Sequence, residues 1–193
     1  DHARDAGWSH EEYLAAVLER EVAARNASGA HLRIRAAGMP AIKTIEDYDF
    51  DHQPAARSPI HALASGAYLS EHRNVVLLGP PGTGKTHLLI ALGTAAAEQG
   101  RRVRYITTAA LVNELAEAAD DKRLTRLVAR YASLDLLVLD EIGYVSLDPK
   151  GAELLFQIIT AREERASIAC ASNAPFSEWG NTFTDPRLAA AVV

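Results

Sequence analysis

The chain has 193 residues, 48% of them hydrophobic and 23% charged, with a formal net charge of −5. That length holds one α/β domain with a buried core and a modest appendage. The negative balance excludes a chain that holds nucleic acid by overall charge, so any polyanion site must be a local patch.

A single cysteine, Cys170, excludes an intrachain disulfide and suits a cytoplasmic protein. The longest apolar runs fall far short of the ~20 residues that span a bilayer, and no secretory pattern opens the chain. A start at Asp1 and an abrupt end at "AAAVV" read as a fragment.

Residues 1 to about 35 read as helical: Ser9 caps, Glu12 lies at capping-box spacing, and Tyr13, Leu14, Val17, Leu18 and Val22 form an apolar stripe. Gly38 and Pro40 break it, and "TIEDYDFDHQPAARSP" reads as a polar, proline-interrupted linker, with a domain boundary near residues 40–50. From Asn74 strands and helices alternate: "NVVLLG" is a strand, "GKTHLLIALGTAAAEQG" a helix ending at Gly100, and "RVRYIT" a strand. "AALVNELAEA" and "KRLTRLVARYA" are helices, the second with Leu124, Leu127, Val128 and Tyr131 on one face. "LDLLVLDE" is a strand, "DPKGAELLFQIITAREE" a helix capped by Asp148 with Pro149 at its first position, and "SIACASN" a strand. The alternation predicts a mostly parallel sheet covered on both faces.

Gly79-Pro80-Pro81-Gly82-Thr83-Gly84-Lys85-Thr86 fits G-x-x-x-x-G-K-[ST] in full, between a strand and a helix. Glycines let the backbone approach phosphate oxygens, and N–H groups at a helix start supply positive potential. Lys85 reaches the β and γ phosphates of a triphosphate, and the Thr86 hydroxyl ligates Mg²⁺. His87 follows in the first turn and joins the contact set. Leu136 to Asp140 is an apolar strand ending in an acid: Asp140 holds Mg²⁺, and Glu141 beside it polarises a water, which favours hydrolysis over simple binding. Asn173, ending the next strand, lies where an amide helps position that water, although Ser-Asn is also ordinary turn chemistry. ATP and Mg²⁺ are the implied cofactors.

Lys122, Arg123, Arg126 and Arg130 make a basic stripe that reads either as a solvated helix face or as contact with DNA phosphates. Cys170 reads as an inert core residue, and His61, His72 and His87 lack metal-ligand spacing.

Five stretches, "GMPAIKTIEDYDFD", "LLGPPGTGKTHLLIALG", "LLVLDEIGYVSLD", "GAELLFQIITAREER" and "ASNAPFSEWGNTFTDPRLAAAVV", resemble the IstB family. These are AAA+ ATPase helper proteins of IstA/IstB-type insertion sequences, related to the DnaC helicase loader and the DnaA initiator. The resemblance implies a P-loop AAA+ fold, a three-layer α/β/α core over residues 46–193, after a helical segment at 1–45. It implies an ATP-dependent homo-oligomer that assembles on double-stranded DNA and stimulates an IstA-type transposase. It matches Asn173 to sensor I and Arg187, in "DPRL", to a trans-acting arginine finger. An exposed arginine after an Asp-Pro turn is the alternative for Arg187. Tyr48 and Phe50 match a segment near the adenine, and interdomain packing is the alternative there. Family members run on past "DPRLAAAVV" to a sensor II arginine. A helicase loader, or a nucleotide-gated assembly module without turnover, stands beside the transposition helper.

Overall fold

Four apolar runs become four parallel strands: β1 (Val75–Leu78), β2 (Val103–Thr107), β3 (Leu136–Ile142) and β4 (Ser167–Ser172). Their order across the sheet is β1-β4-β3-β2. A computed structural model describes residues 7–144 and 147–179.

Side chains alternate across each strand. Val75, Val103, Leu136, Val138, Ala169 and Ala171 face one helical layer, formed by α1 (His10–Ala37), α2 (Pro54–Ala64), α3 (Ala67–Ser70) and α4 (Lys85–Glu98). Ile106, Leu137, Leu139, Ile168 and Cys170 face the other, formed by α5 (Thr108–Asp120), α6 (Leu124–Ala132) and α7 (Pro149–Arg162). The result is the expected three-layer α/β/α architecture.

Helix ends follow the local chemistry. Glu12 N–H donates to Ser9 Oγ (3.2 Å) and Ser9 N–H donates to Glu12 Oε2 (2.7 Å), a complete capping box at the start of α1. The helix stops at Gly38, whose φ of 68° is costly for a residue with a side chain. Gly151 N–H donates to Asp148 Oδ1 (2.7 Å), with Pro149 in the first turn of α7. Only the C-terminal end of α1 joins the core, through buried Ile34 and Ala37, and Arg33 Nε donates to Ala97 O of α4 (2.7 Å). Tyr13, Leu14, Val17, Leu18 and Val22 do lie on the helix, but they are 46–57% exposed.

Two expectations need correction. The linker contains structure: a 3₁₀ turn (Phe50–His52) and then α2, with Ile60 buried. Pro54 occupies the first turn, where its missing N–H has no partner to lose. Pro59 lies within the helix, and it and Ala55 are both exposed, so the carbonyl it leaves unpaired can meet water. The helix expected over residues 122–132 begins at Leu124. Lys122 has φ 58°, with Lys122 N–H donating to Ala119 O and Arg123 N–H to Ala118 O, the paired closure that ends α5. Lys122 therefore lies in the turn and Arg123 at the cap.

Candidate nucleotide site

In parallel α/β sheets ligands gather at the C-terminal strand ends, and the phosphate-loop residues do so here. The loop leaves β1, where Gly79 N–H donates to Ser172 O of β4 (3.3 Å), and enters α4. Gly82 and Gly84 have φ of 80° and 78°, which fold the loop so that it wraps the start of the helix. Thr83 Oγ1 donates to Pro80 O (2.9 Å), and Lys85 Nζ donates to Gly79 O and Pro80 O (both 2.8 Å). Burial lowers the Lys85 pKa, and the negative Asp140 opposes that shift. A triphosphate would replace the two carbonyls with stronger, charged acceptors.

Lys85, Thr86, Asp140, Glu141 and Asn173 all line one open cavity of about 420 Å³, together with Pro81, Gly82 and Gly84 of the loop. Asp140 is 2% exposed. Its Oδ1 accepts from Glu141 N–H (2.9 Å) and its Oδ2 from Tyr105 Oη (2.9 Å). Burial, then the bond to Asp140, pushes the Tyr105 hydroxyl well above the usual tyrosine range. Glu141 has φ 59°, and the β3–β4 register slips between Leu139 and Ile142. That break turns Glu141 out of the sheet into the open cavity, an uncommon conformation for a residue with a side chain and one that gathers at functional sites.

Asn173 is set by the turn after β4: Ala174 N–H donates to Ser172 Oγ (3.1 Å). Trp179, fully buried, donates from Nε1 to Ala174 O (3.0 Å). Trp179 thus anchors the exit from β4.

The donor set fits magnesium. A buried carboxylate and a hydroxyl share one cavity, both hard oxygen donors. Mg²⁺ is commonly held by one or two protein oxygens together with phosphates and water. Asp140 and Thr86 would hold it.

Tyr48 and Phe50 part company. Tyr48 Oη donates to Thr83 O (2.7 Å), and its ring lies so close to Gly84 that a Cβ there would sit 2.6 Å from it. Gly84→Ala is therefore expected to push the loop off Tyr48 and lower nucleotide affinity on the order of tenfold or more, since clash and positive φ act together. Titration with a fluorescent ATP analogue checks this, and unchanged affinity would refute it. Tyr48 also borders a second cavity of about 380 Å³ against β1 and α2, including Ile60 and Leu88. Phe50 is 3% exposed and stacks edge-on against Tyr48 at 4.7 Å, so it supports Tyr48 from the core and does not border that cavity. His87 turns aside, its Nε2 meeting Thr44 O at 2.9 Å. Cys170 is fully buried, which pushes its thiol up to about 12. Arg187 lies outside the described residues.

A family model described as an IstB-like ATP binding protein matches residues 1–193. The chain belongs to this family. It is 39% identical over 186 residues to the protein named as the ATP-binding protein of insertion sequence IS21 from Pseudomonas aeruginosa, covering 96% of this chain and 70% of that one. A Sinorhizobium fredii insertion-sequence ATP-binding protein is 37% identical, covering 100% of this chain, which spans only 65% of that relative's length. Among solved structures, AMPPCP-bound DnaA from Aquifex aeolicus has a TM-score of 0.69 at 24% identity, covering 80% of this chain and 48% of that one. The DnaC helicase loader has a TM-score of 0.68 at 21% identity, covering 78% and 91%. At those identities the likeness is one of fold, the P-loop AAA+ fold.

In this IstB-family chain the basic residues gather away from the nucleotide cavity. Arg123, Arg126 and Arg130 line a cleft of about 650 Å³ between α5 and α6, together with Glu114 and Glu117. Arg123 pairs with Asp121 at 2.6 Å, and Tyr131 Oη donates to Glu114 Oε2 (2.6 Å). Lys122 does not line this cleft.

Sequence reasoning missed Tyr105 beside Asp140. The signal existed: β2 follows the loop helix and carries a tyrosine hydroxyl at Tyr105, but which carboxylate it meets depends on strand order.

Proposed function

We propose that this chain binds ATP with Mg²⁺ and hydrolyses it as part of an assembly on DNA that serves a transposase. The observation that carries the reading is the convergence of Lys85, Thr86, Asp140, Glu141 and Asn173 on one cavity. Lys85 and the loop N–H groups hold the phosphates, and Thr86 and Asp140 would hold the metal, which would supply positive charge beside the phosphates. Glu141 accepts the proton of the attacking water, and Asn173 orients that water. Arg187, supplied by a neighbouring copy, completes the charge stabilisation, which makes turnover depend on self-assembly.

The insertion-sequence relatives support a transposase as the partner, of IstA type. For DNA, Arg123, Arg126 and Arg130 form the contact surface, with Lys122 at its margin. A DnaC-like loader shares the fold, and the insertion-sequence relatives favour the transposition reading over it. We place the functional boundary near residue 45, between α1 and the ATPase core.

The deciding measurement is ATP turnover with and without double-stranded DNA. Wild-type turnover is expected to rise with DNA. Charge reversal at Arg123, Arg126 and Arg130 should abolish that rise, weaken binding, and reduce the log–log salt slope of affinity by about 0.9 per lost phosphate contact. Turnover absent in both conditions would sink the hydrolase reading. Unchanged DNA affinity in the reversed variant would make the cleft a solvated surface.

A further inference from the structure

The carboxylate assigned to the metal is gripped by a different strand. In the β2–β3 register Tyr105 stands beside Val138, and the alternation of strand side chains puts Val138 and Asp140 on the same face. The tyrosine ring runs along that face, and its hydroxyl reaches Asp140 Oδ2 at 2.9 Å. Glu141 N–H takes Oδ1 at the same distance, and Thr108 Oγ1 donates to the Asp140 backbone carbonyl, also at 2.9 Å. Both carboxylate oxygens and the carbonyl of this one residue are thus occupied by protein donors.

We infer that Tyr105 is a positioning residue that fixes the plane of the Asp140 carboxylate for a divalent cation. The inference rests on the reading of Asp140 as a metal-holding residue. Rotating the carboxylate would break the bonds to both of its oxygens at once. Each oxygen still keeps a second lone pair for a cation or its bound water, so the grip orients Asp140 without blocking it. Without the hydroxyl, the cation must itself order the carboxylate on binding, which weakens its binding. Packing does not require the hydroxyl. The Tyr105 ring lies against the apolar cluster with Val103 and Val138, where a phenylalanine would pack as well.

The same contacts tie the cation site to the start of α5. Tyr105 and Thr108 flank the point where β2 becomes that helix, and Thr107 caps it by accepting from Ala110 N–H at 3.3 Å. α5 and α6 form the basic cleft, so a shift of the cleft helices would reach Asp140 through two hydrogen bonds.

Tyr105→Phe removes the hydroxyl and keeps the ring. Binding of a fluorescent ATP analogue is measured while Mg²⁺ is raised, beside Asp140→Asn and the wild type. Affinity without Mg²⁺ should stay within about twofold of wild type. The Mg²⁺ concentration giving half of the affinity gain should rise roughly tenfold, as for loss of one hydrogen bond to a charged group. A Mg²⁺ curve that coincides with wild type overturns the inference. So does a parallel loss of Mg²⁺-free affinity, which would mark Tyr105 as a packing residue only. If Asp140→Asn leaves the Mg²⁺ curve unmoved, the metal role of Asp140 falls, and the inference falls with it. If Asp140→Asn moves the curve and Tyr105→Phe does not, only the role of Tyr105 falls.

Discussion

Glu141→Gln is expected to bind ATP with near wild-type affinity and to lose turnover by about 10²- to 10⁴-fold, the usual contribution of a positioned general base. Glutamine matches the side chain in size and shape, so the cavity keeps its form. It cannot accept the proton that an attacking water must release. The backbone supports a selective effect. The Glu141 N–H, not its side chain, bonds Asp140 Oδ1, and that bond survives the substitution. The φ of 59° at this position is equally accessible to both residues. If the protein self-assembles on ATP, the variant should also stay assembled longer, because the bound nucleotide is not consumed. Steady-state phosphate release and equilibrium nucleotide binding separate the two effects. Turnover within about twofold of wild type would remove Glu141 as the base and leave a nucleotide-gated module as the better reading.

The largest effect on stability is expected at Arg162. This arginine is 1% exposed at the end of α7. Its Nη1 donates to the carbonyls of Tyr131 and Leu134 (3.1 Å for Leu134), and its Nη2 donates to Ser167 O (2.7 Å). It therefore joins the C-terminal end of α6 to the start of β4. A cation at a helix C-terminus is favoured by the exposed carbonyls there. Burial pushes its pKa down to about 10, which leaves it a cation at neutral pH. Arg162→Met fills similar volume but takes the guanidinium donor from those carbonyls, of which Tyr131 O keeps the Leu134 N–H (3.3 Å), at about 1–3 kcal/mol for each one left unpaired. We expect a loss of about 3–5 kcal/mol and a fall in melting temperature on the order of 10 °C. Arg162→Lys keeps the charge but not the planar fork of donors, and should fall between the two. The nucleotide cavity lies at the opposite strand ends, so the folded variant should bind ATP normally at low temperature. A melting temperature within about 2 °C of wild type would show that the carbonyls find other partners.

The local signals in this chain were legible because each acts over a few residues. Ser9 with Glu12, Asp148 with Pro149, and the loop from Gly79 to Thr86 each specify backbone geometry within one turn of chain. The strand runs around Leu77, Leu137 and Ala169 were readable from their continuous apolar character, which parallel strands buried on both faces require. The segment around Pro54 and Pro59 misled because two prolines argue against a helix, and only the exposure of Pro59 and the burial of Ile60 show why one is tolerated. Lys122 misled because its four-residue spacing from Arg126 suits a helix, whereas the paired bonds that close α5 put it in the left-handed turn.

By itself, then, the sequence determined the α/β alternation, the phosphate loop and the acid pair Asp140-Glu141, all of which follow from short-range periodicity and backbone preference. The resemblance added the family. Only the tertiary structure decided which groups meet. Tyr105 reaches Asp140 across 35 positions, Tyr48 reaches Thr83 across another 35, and Arg162 reaches Tyr131 across 31. Those meetings depend on strand order and register, which arise from burying both faces of the whole sheet at once and leave no mark at any single position in the chain.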